Sequence, residues 1–204
     1  MKKGITKILS ACVFAFVVFL AAGTQSKAAV NMGVKQTGAG SSYVDLAWDA
    51  QLGAGHYHTQ FSQDGKNWID MDNSSSPSES VYNLTQGASY YARVVAYKGS
   101  HYTGTHVMIG VSETAIVSTK PTEVSGLTQT AAGVNSVSMS WNASAGAASY
   151  VIYGYINYNW TQIGTSATSS ATITGVAATT STRFSVAAVK NVTGGTVTGD
   201  QCSG

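Results

Sequence analysis

The residues of this chain most able to do chemistry are its four histidines, which lie between positions 56 and 106. His56 and His58 flank Tyr57, so on a strand whose Tyr57 points inward both imidazoles share the opposite face. His101 and His106 follow in a predicted loop. Imidazole suits Zn, Ni or Cu, which makes the four side chains candidate ligands of a divalent metal. The alternative is four solvated histidines.

A second candidate group is a row of tyrosines further along the chain. If Tyr150 and Ile152 face a core, strand alternation turns Tyr153 and Tyr155 outward, and Tyr158 follows in a hairpin. Exposed rings of this kind can stack on a sugar or anchor a protein partner. The alternative is cross-strand packing that supports the sheet.

Catalytic patterns are absent from the sequence. Asp70 and Asp72 share a strand face, but a solvated face accounts for them equally well. There is no Gly-x-Ser-x-Gly elbow, no His-Glu-x-x-His and no phosphate-binding loop, and Cys202 has no histidine in its own half of the chain. We therefore predict a protein that is not an enzyme and needs no cofactor.

The N-terminus has the order of a bacterial-type secretory leader. Basic Lys2, Lys3 and Lys7 precede an apolar run over residues 8–22, and Ser26-Lys27-Ala28 offers a cleavage site. A retained membrane anchor would need about 20 apolar residues, and the run over 8–22 is shorter. Lipidation at Cys12 would need the apolar run before that cysteine. The prediction is a signal peptide over 1–28 and a secreted, extracellular protein without membrane association after cleavage.

Removing the leader changes the charge of the chain. The full sequence has 11 basic and 9 acidic residues, and the leader carries four of the basic ones. The remaining net charge of −2 leaves no electrostatic footprint for nucleic acid. Cys202 then stands alone, so stability must come from apolar burial without an intrachain disulfide.

The body of the chain is predicted to be all-β. Apolar and polar residues alternate in short runs such as 44–48, 137–141 and 184–189, which is typical of half-buried strands. Turn signals such as Asp64-Gly65 separate them. Many short strands with regular turns indicate a sandwich or barrel.

The chain also contains an internal duplication. Trp48 and Trp141, like Tyr57 and Tyr150, lie 93 positions apart, whereas Trp68 and Trp160 lie 92 apart. A module of about 92 residues therefore occurs twice. A boundary near Pro121 gives one domain over 30–119 and another over 121–204.

The repeated unit resembles a fibronectin type III domain. The residues that carry the resemblance are a strand B tryptophan, a strand C tyrosine and a tyrosine corner with a preceding leucine: Trp48 and Trp141, Tyr57 and Tyr150, and Leu84 with Gly87 and Tyr90. The resemblance implies two tandem immunoglobulin-like β-sandwiches. It also implies that the loop with His101 and His106 meets the start of the His56 strand. The second copy has Val176 and Thr182 in place of Leu84 and Tyr90.

The second copy also departs at its C-terminus. The partner of the last strand of the first copy, 111–119, would begin at 203, so strand G of the second module is expected to be incomplete. Unless residues 192–202 substitute for it, strand F becomes an exposed edge. We expect the chain to be a fragment of a larger extracellular protein.

The resemblance implies a secreted, non-catalytic module pair that acts as a spacer, as a presentation unit or as an interaction module. The alternative is an adhesion or carbohydrate-binding module that uses the exposed aromatics or the loops of the first domain. The expected partner is an extracellular protein or a polysaccharide.

Overall fold

The computed structural model describes residues 29–100, 106–176 and 182–202. These residues contain sixteen β-strands. The predicted signal peptide over 1–28 lies outside these residues, as does His101. No helix within the described ranges is long and apolar enough to span a membrane.

The first module contains nine strands in two sheets. They are β1 Ala29–Val30, β2 Lys35–Ala39, β3 Val44–Ala47, β4 His56–Ser62, β5 Ile69–Ser74, β6 Ser78–Val81, β7 Ser89–Lys98, β8 Val107–Ser112 and β9 Ala115–Ser118. One sheet has the order β2-β3-β6, and the other the order β1-β8-β7-β4-β5 with β9 also paired to β7. Strands β8 and β9 thus form the two halves of one broken strand beside β7, and β1 covers the outer side of β8.

The second module repeats this arrangement with seven strands. They are β10 Thr128–Gly133, β11 Ser136–Ser140, β12 Ser149–Ile156, β13 Asn159–Ser166, β14 Ser170–Thr174, β15 Phe184–Val192 and β16 Gly195–Thr198. Its sheets have the orders β10-β11-β14 and β13-β12-β15-β16. With letters assigned in chain order, both modules place strands A, B and E against strands C′, C, F and G.

An aromatic pair forms the centre of each core. The indole of Trp48 meets the ring of Tyr57 edge-on at 5.4 Å between centroids and 67°, and Trp141 meets Tyr150 at 5.3 Å and 67°. Such edge-to-face pairs are favoured beyond their area burial. The duplication therefore preserves the geometry of the core as well as its residue types.

The same two tyrosines tie the B–C loop to the core. The Tyr57 hydroxyl accepts a hydrogen bond from the backbone N–H of Gln51 at 3.0 Å. The Tyr150 hydroxyl accepts one from Ser144 at 3.1 Å, also six residues earlier. Because both rings are buried, each bond satisfies a loop N–H that would otherwise be desolvated.

The E–F corner of the first module is held by Tyr90. Its hydroxyl accepts a hydrogen bond from the backbone N–H of Thr85 at 3.0 Å, next to the buried Leu84. Gly87 turns the chain between them with a φ of 68°, a conformation that favours glycine. This is the geometry of a tyrosine corner.

Replacing Tyr90 with phenylalanine is expected to destabilise the first module by about 1 kcal/mol, because the Thr85 N–H loses its acceptor. Urea unfolding followed by fluorescence measures the change. The matched control is Tyr91→Phe, since Tyr91 is the next residue and faces solvent. Equal effects at the two positions would contradict a specific role for the corner.

The C-terminal segment supplies strand G of the second module. Strand β16 pairs with residues 189–192 of β15. Beyond it, the Gly199 N–H donates to Ala188 O at 2.8 Å and the Cys202 N–H to Val186 O at 3.0 Å. The expectation of an exposed edge on strand F is therefore wrong along residues 186–192, because residues 195–202 substitute for the missing strand.

Candidate functional site

Three of the four histidines meet at one end of the first module. β4 carries His56 and His58, and His106 lies just before β8. The His56 ring stacks on Tyr97 of β7, with centroids 5.2 Å apart and planes 9° apart. The ring of His106 lies 5.3 Å from that of His56 and 6.1 Å from that of His58.

This histidine cluster is packed. His56 is only 3% exposed, and its Nδ1 lies 3.0 Å from the carbonyl oxygen of Gly99. The expectation of solvated histidines is therefore wrong for His56, because stacking on Tyr97 removes its ring from water. Burial also raises the pKa of the Tyr97 hydroxyl, and the charge of Asp70 adds to the rise. Among the described residues no group of three or more His, Cys, Asp or Glu side chains could hold a metal ion.

Asp70 and Asp72 have separate hydrogen-bond partners. The Asp70 carboxylate accepts a hydrogen bond from Gln60 Nε2 at 2.6 Å. The Asp72 carboxylate accepts the backbone N–H of Asn73 at 2.8 Å. Each acid has its own partner on the C–C′ hairpin.

In the first module a cation covers the ring of the hairpin tryptophan, Trp68. The Arg93 guanidinium lies 4.1 Å from the centre of the Trp68 ring. Arg93 Nε also donates to Gln60 Oε1 at 2.7 Å, and Gln60 in turn donates to Asp70. Burial lowers the pKa of Arg93, while the charge of Asp70 opposes that change.

The second module has a different surface at the same place. Register pairs Tyr153 with both Gln162 and Ser185, where the first module pairs Gln60 with Asp70 and Arg93. Ser185 therefore stands where the first module has the arginine that covers Trp68. The Trp160 ring instead meets Tyr155 edge-on at 5.3 Å and 61°.

The tip of this hairpin displays its aromatic rings to solvent. Tyr158 is 90% exposed, Trp160 42% and Tyr155 39%. Tyr153 is half-buried and belongs to the supporting sheet. The sequence pattern placed Tyr153 and Tyr155 outward with Tyr158 in the hairpin, and the structure exposes Tyr155 and Tyr158 more than Tyr153.

The hairpin lies in a stretch of the sequence without charged residues. Residues 124–182 contain no Asp, Glu, Lys, Arg or His. On the face of the rings, Gln162 follows Trp160 by two positions on β13, and Asn157 precedes Tyr158 in the turn; both are exposed. The nearest cation in the sequence is Arg183, which is exposed and whose carbonyl oxygen accepts the Tyr155 N–H at 2.9 Å, opposite Tyr155 on the neighbouring strand.

Direct contacts join the two modules. The Thr193 N–H donates to Ile116 O at 2.8 Å, and the Ile116 N–H donates to Thr193 Oγ1 at 2.7 Å. Lys120 forms an ion pair with Asp200 at 2.7 Å. The Lys190 ammonium of the second module donates to the Gly87 carbonyl of the first.

The strand order and the repeated core residues define the class of this protein. Two sheets, A–B–E and C′–C–F–G, pack face to face in each module around the tryptophan and tyrosine pair. The chain is a tandem pair of fibronectin type III-like β-sandwiches, as predicted, and that prediction is confirmed.

Known proteins with a similar fold include two tandem segments. A two fibronectin type III domain segment from chicken tenascin is 18% identical, covers 84% of this chain and 95% of that one, and has a TM-score of 0.42. The FN1–FN3 domains of chicken CNTN1 are 14% identical, cover 85% of this chain and 63% of that one, and have a TM-score of 0.45. No family profile and no curated protein matches the chain. Similarity at this level of sequence identity gives no information about function.

Proposed function

We propose that this chain is a secreted, non-catalytic module pair that acts as a spacer of fixed geometry in an extracellular protein. The observation that carries the proposal is the direct contact between the modules through Ile116 and Thr193. Secretion rests on the leader over 1–28.

The Ile116–Thr193 contact supports a fixed orientation of the two modules because it consists of two directional hydrogen bonds. It satisfies both the N–H and the C=O of Ile116, which face outward from β9. The Gln36 side chain does the same for Ser118 on that strand, accepting its N–H at 2.9 Å and donating to its C=O at 2.8 Å. The open edge of β9 is thus covered by these partners.

Lys190 adds a contact that requires the modules to be docked. It is only 4% exposed, and burial lowers the pKa of its ammonium. A buried ammonium is costly unless its donors are satisfied, and one acceptor is the Gly87 carbonyl across the interface. Separating the modules would remove that acceptor, so the contact favours the docked arrangement.

The proposal predicts a narrow distribution of distances between the modules. Spin labels on Leu52→Cys and Val134→Cys would report it by double electron–electron resonance, because both sites are highly exposed and Cys202 is buried. A broad distribution in this labelled parent would contradict the spacer proposal.

The variant Thr193→Pro with Lys190→Met is expected to broaden that distribution at least about twofold. Proline removes the N–H and the hydroxyl that bind Ile116. The turn itself should survive, since only its second residue, Gly194, has a positive φ, 82°, and a type II turn accepts proline at the first position. The control is Thr196→Ala on the exposed β16, which should leave the distribution unchanged.

A second candidate function is adhesion or carbohydrate binding. The exposed rings of Tyr155, Tyr158 and Trp160 favour it, since exposed aromatic rings are common in binding surfaces.

A further inference from the structure

The β12–β13 hairpin differs from its counterpart in the first module in a way that folding does not require. Trp68 is covered by the Arg93 guanidinium, and its neighbours Gln60 and Asp70 complete a hydrogen-bonded chain. Trp160 occupies the same position on a sandwich of the same strand order, yet its ring meets the edge of Tyr155 and stays 42% exposed. The first module shows that this hairpin position can be covered within the fold.

The backbone conformation of the hairpin tip also favours a role for Tyr158 beyond folding. Asn157 and Tyr158 have φ values of 49° and 65°, so both lie in the left-handed region. Asparagine tolerates this conformation, but a bulky residue there is an outlier that costs stability. Because Tyr158 is almost fully exposed, its ring gains no packing in return. Exposed display of a strained aromatic residue is better explained by contact with a ligand.

The chemistry around the rings favours a ligand class. Asn157 in the turn and Gln162 on the face of the rings provide uncharged donors and acceptors. Arg183, exposed and opposite Tyr155 on the neighbouring strand, adds N–H donors. Hydroxyl groups of a neutral sugar can bond to all three side chains. A polyanionic chain is bound best by several cations, whereas Arg183 is the only Lys, Arg or His in the sequence over 124–183.

The size of the site favours a polysaccharide over a protein. A stable protein interface covers about 800 Å² on each partner and about 20–30 residues. The tip of one two-stranded hairpin with three exposed rings offers much less. A pyranose has an apolar C–H face that is comparable in area to one aromatic ring, so a chain of sugars suits a short row of rings.

We propose that Trp160, Tyr158 and Tyr155 form a binding site for a neutral polysaccharide, with a sugar ring stacked on an exposed aromatic face. This deepens the second candidate function and does not depend on the spacer function. The amides of Asn157 and Gln162 and the Arg183 guanidinium bond to the hydroxyl groups of the sugar.

Affinity electrophoresis of the full chain tests the site. The native gels would contain hydroxyethylcellulose, laminarin, galactomannan or soluble starch, with polygalacturonate as an anionic comparison. At least one neutral polysaccharide is expected to retard the protein, and the retardation should persist at high salt. Titration followed by tryptophan fluorescence then gives an apparent Kd for the polysaccharide that binds.

Two variants separate a ligand site from a structural role. Trp160→Ala should abolish the retardation. Tyr158→Asn should weaken binding about tenfold while raising Tm, since asparagine relieves the positive φ; a purely structural residue would not show these opposite effects. The matched control Trp68→Ala should bind like the parent, and so should Thr193→Pro, which separates this inference from the spacer proposal.

The inference is overturned by any of three results: no neutral polysaccharide retards the chain, Trp160→Ala binds like the parent, or polygalacturonate binds best and is released by salt. Loss of binding in Trp68→Ala to the same degree as in Trp160→Ala would also overturn it, since the site would then not lie on the second hairpin.

Discussion

Replacing Trp48 or Trp141 with alanine is expected to destabilise its own module by about 3–5 kcal/mol. Each indole is 5% exposed and packs edge-on against the tyrosine of the next strand. Alanine removes the buried ring and leaves a cavity between the sheets that close packing cannot fill. Because the two sites have nearly the same geometry, the two losses should be similar.

Calorimetry of each variant measures this change as a fall in one of the two module transitions. The control is Trp→Phe at the same position, which keeps an aromatic ring. The Nε1 atoms of Trp48 and Trp141 are buried without a hydrogen-bond partner among the described residues, so phenylalanine forfeits no hydrogen bond and should cost clearly less. An alanine variant that costs less than about 1 kcal/mol would contradict the core assignment for that module.

Deleting residues 199–204 is expected to destabilise the second module by about 3 kcal/mol or more. The deletion removes the bonds from Gly199 and Cys202 to the carbonyl oxygens of Ala188 and Val186. It also removes the Cys202 side chain, which lies in the core and whose Sγ accepts the Val186 N–H at 3.1 Å. Each lost bond contributes about 1 kcal/mol, and the lost burial adds to that.

The deletion should also produce dimers or larger assemblies, because the uncovered part of β15 becomes a template for strand pairing. Size-exclusion chromatography with light scattering detects them. The control is Asp200→Ala, which breaks only the ion pair with Lys120 and should remain monomeric like the parent. A deleted chain that stays monomeric with an unchanged Tm would show that residues 199–202 do not act as an edge strand.

The two proposals fit together in one molecule. Contacts at Thr193 and Lys190 orient the second module against the first. The aromatic hairpin belongs to the second module and therefore has a fixed direction relative to the first. A spacer of this kind would hold the aromatic binding surface at a set angle from the first module.

The fold class, the duplication and the central aromatic residues could be predicted from the sequence. Alternation of apolar residues is a local signal of strands, and the constant spacing of Trp48 with Trp141 and of Tyr57 with Tyr150 reports a repeated unit. These features follow from residues that each module must bury to fold. They can be recognised without knowledge of which strands are neighbours.

The exposure of side chains on the surfaces could not be predicted in this way, because it depends on contacts between distant strands. Burial of His56 depends on Tyr97 from another strand, and exposure of Trp160 depends on Ser185 standing where the first module has Arg93. The pairing of residues 195–202 with β15 likewise depends on hydrogen bonds between separate segments. Alternation along a strand sets which face a side chain occupies, but its partners come from strands that are distant in sequence, and these partners determine whether it is covered.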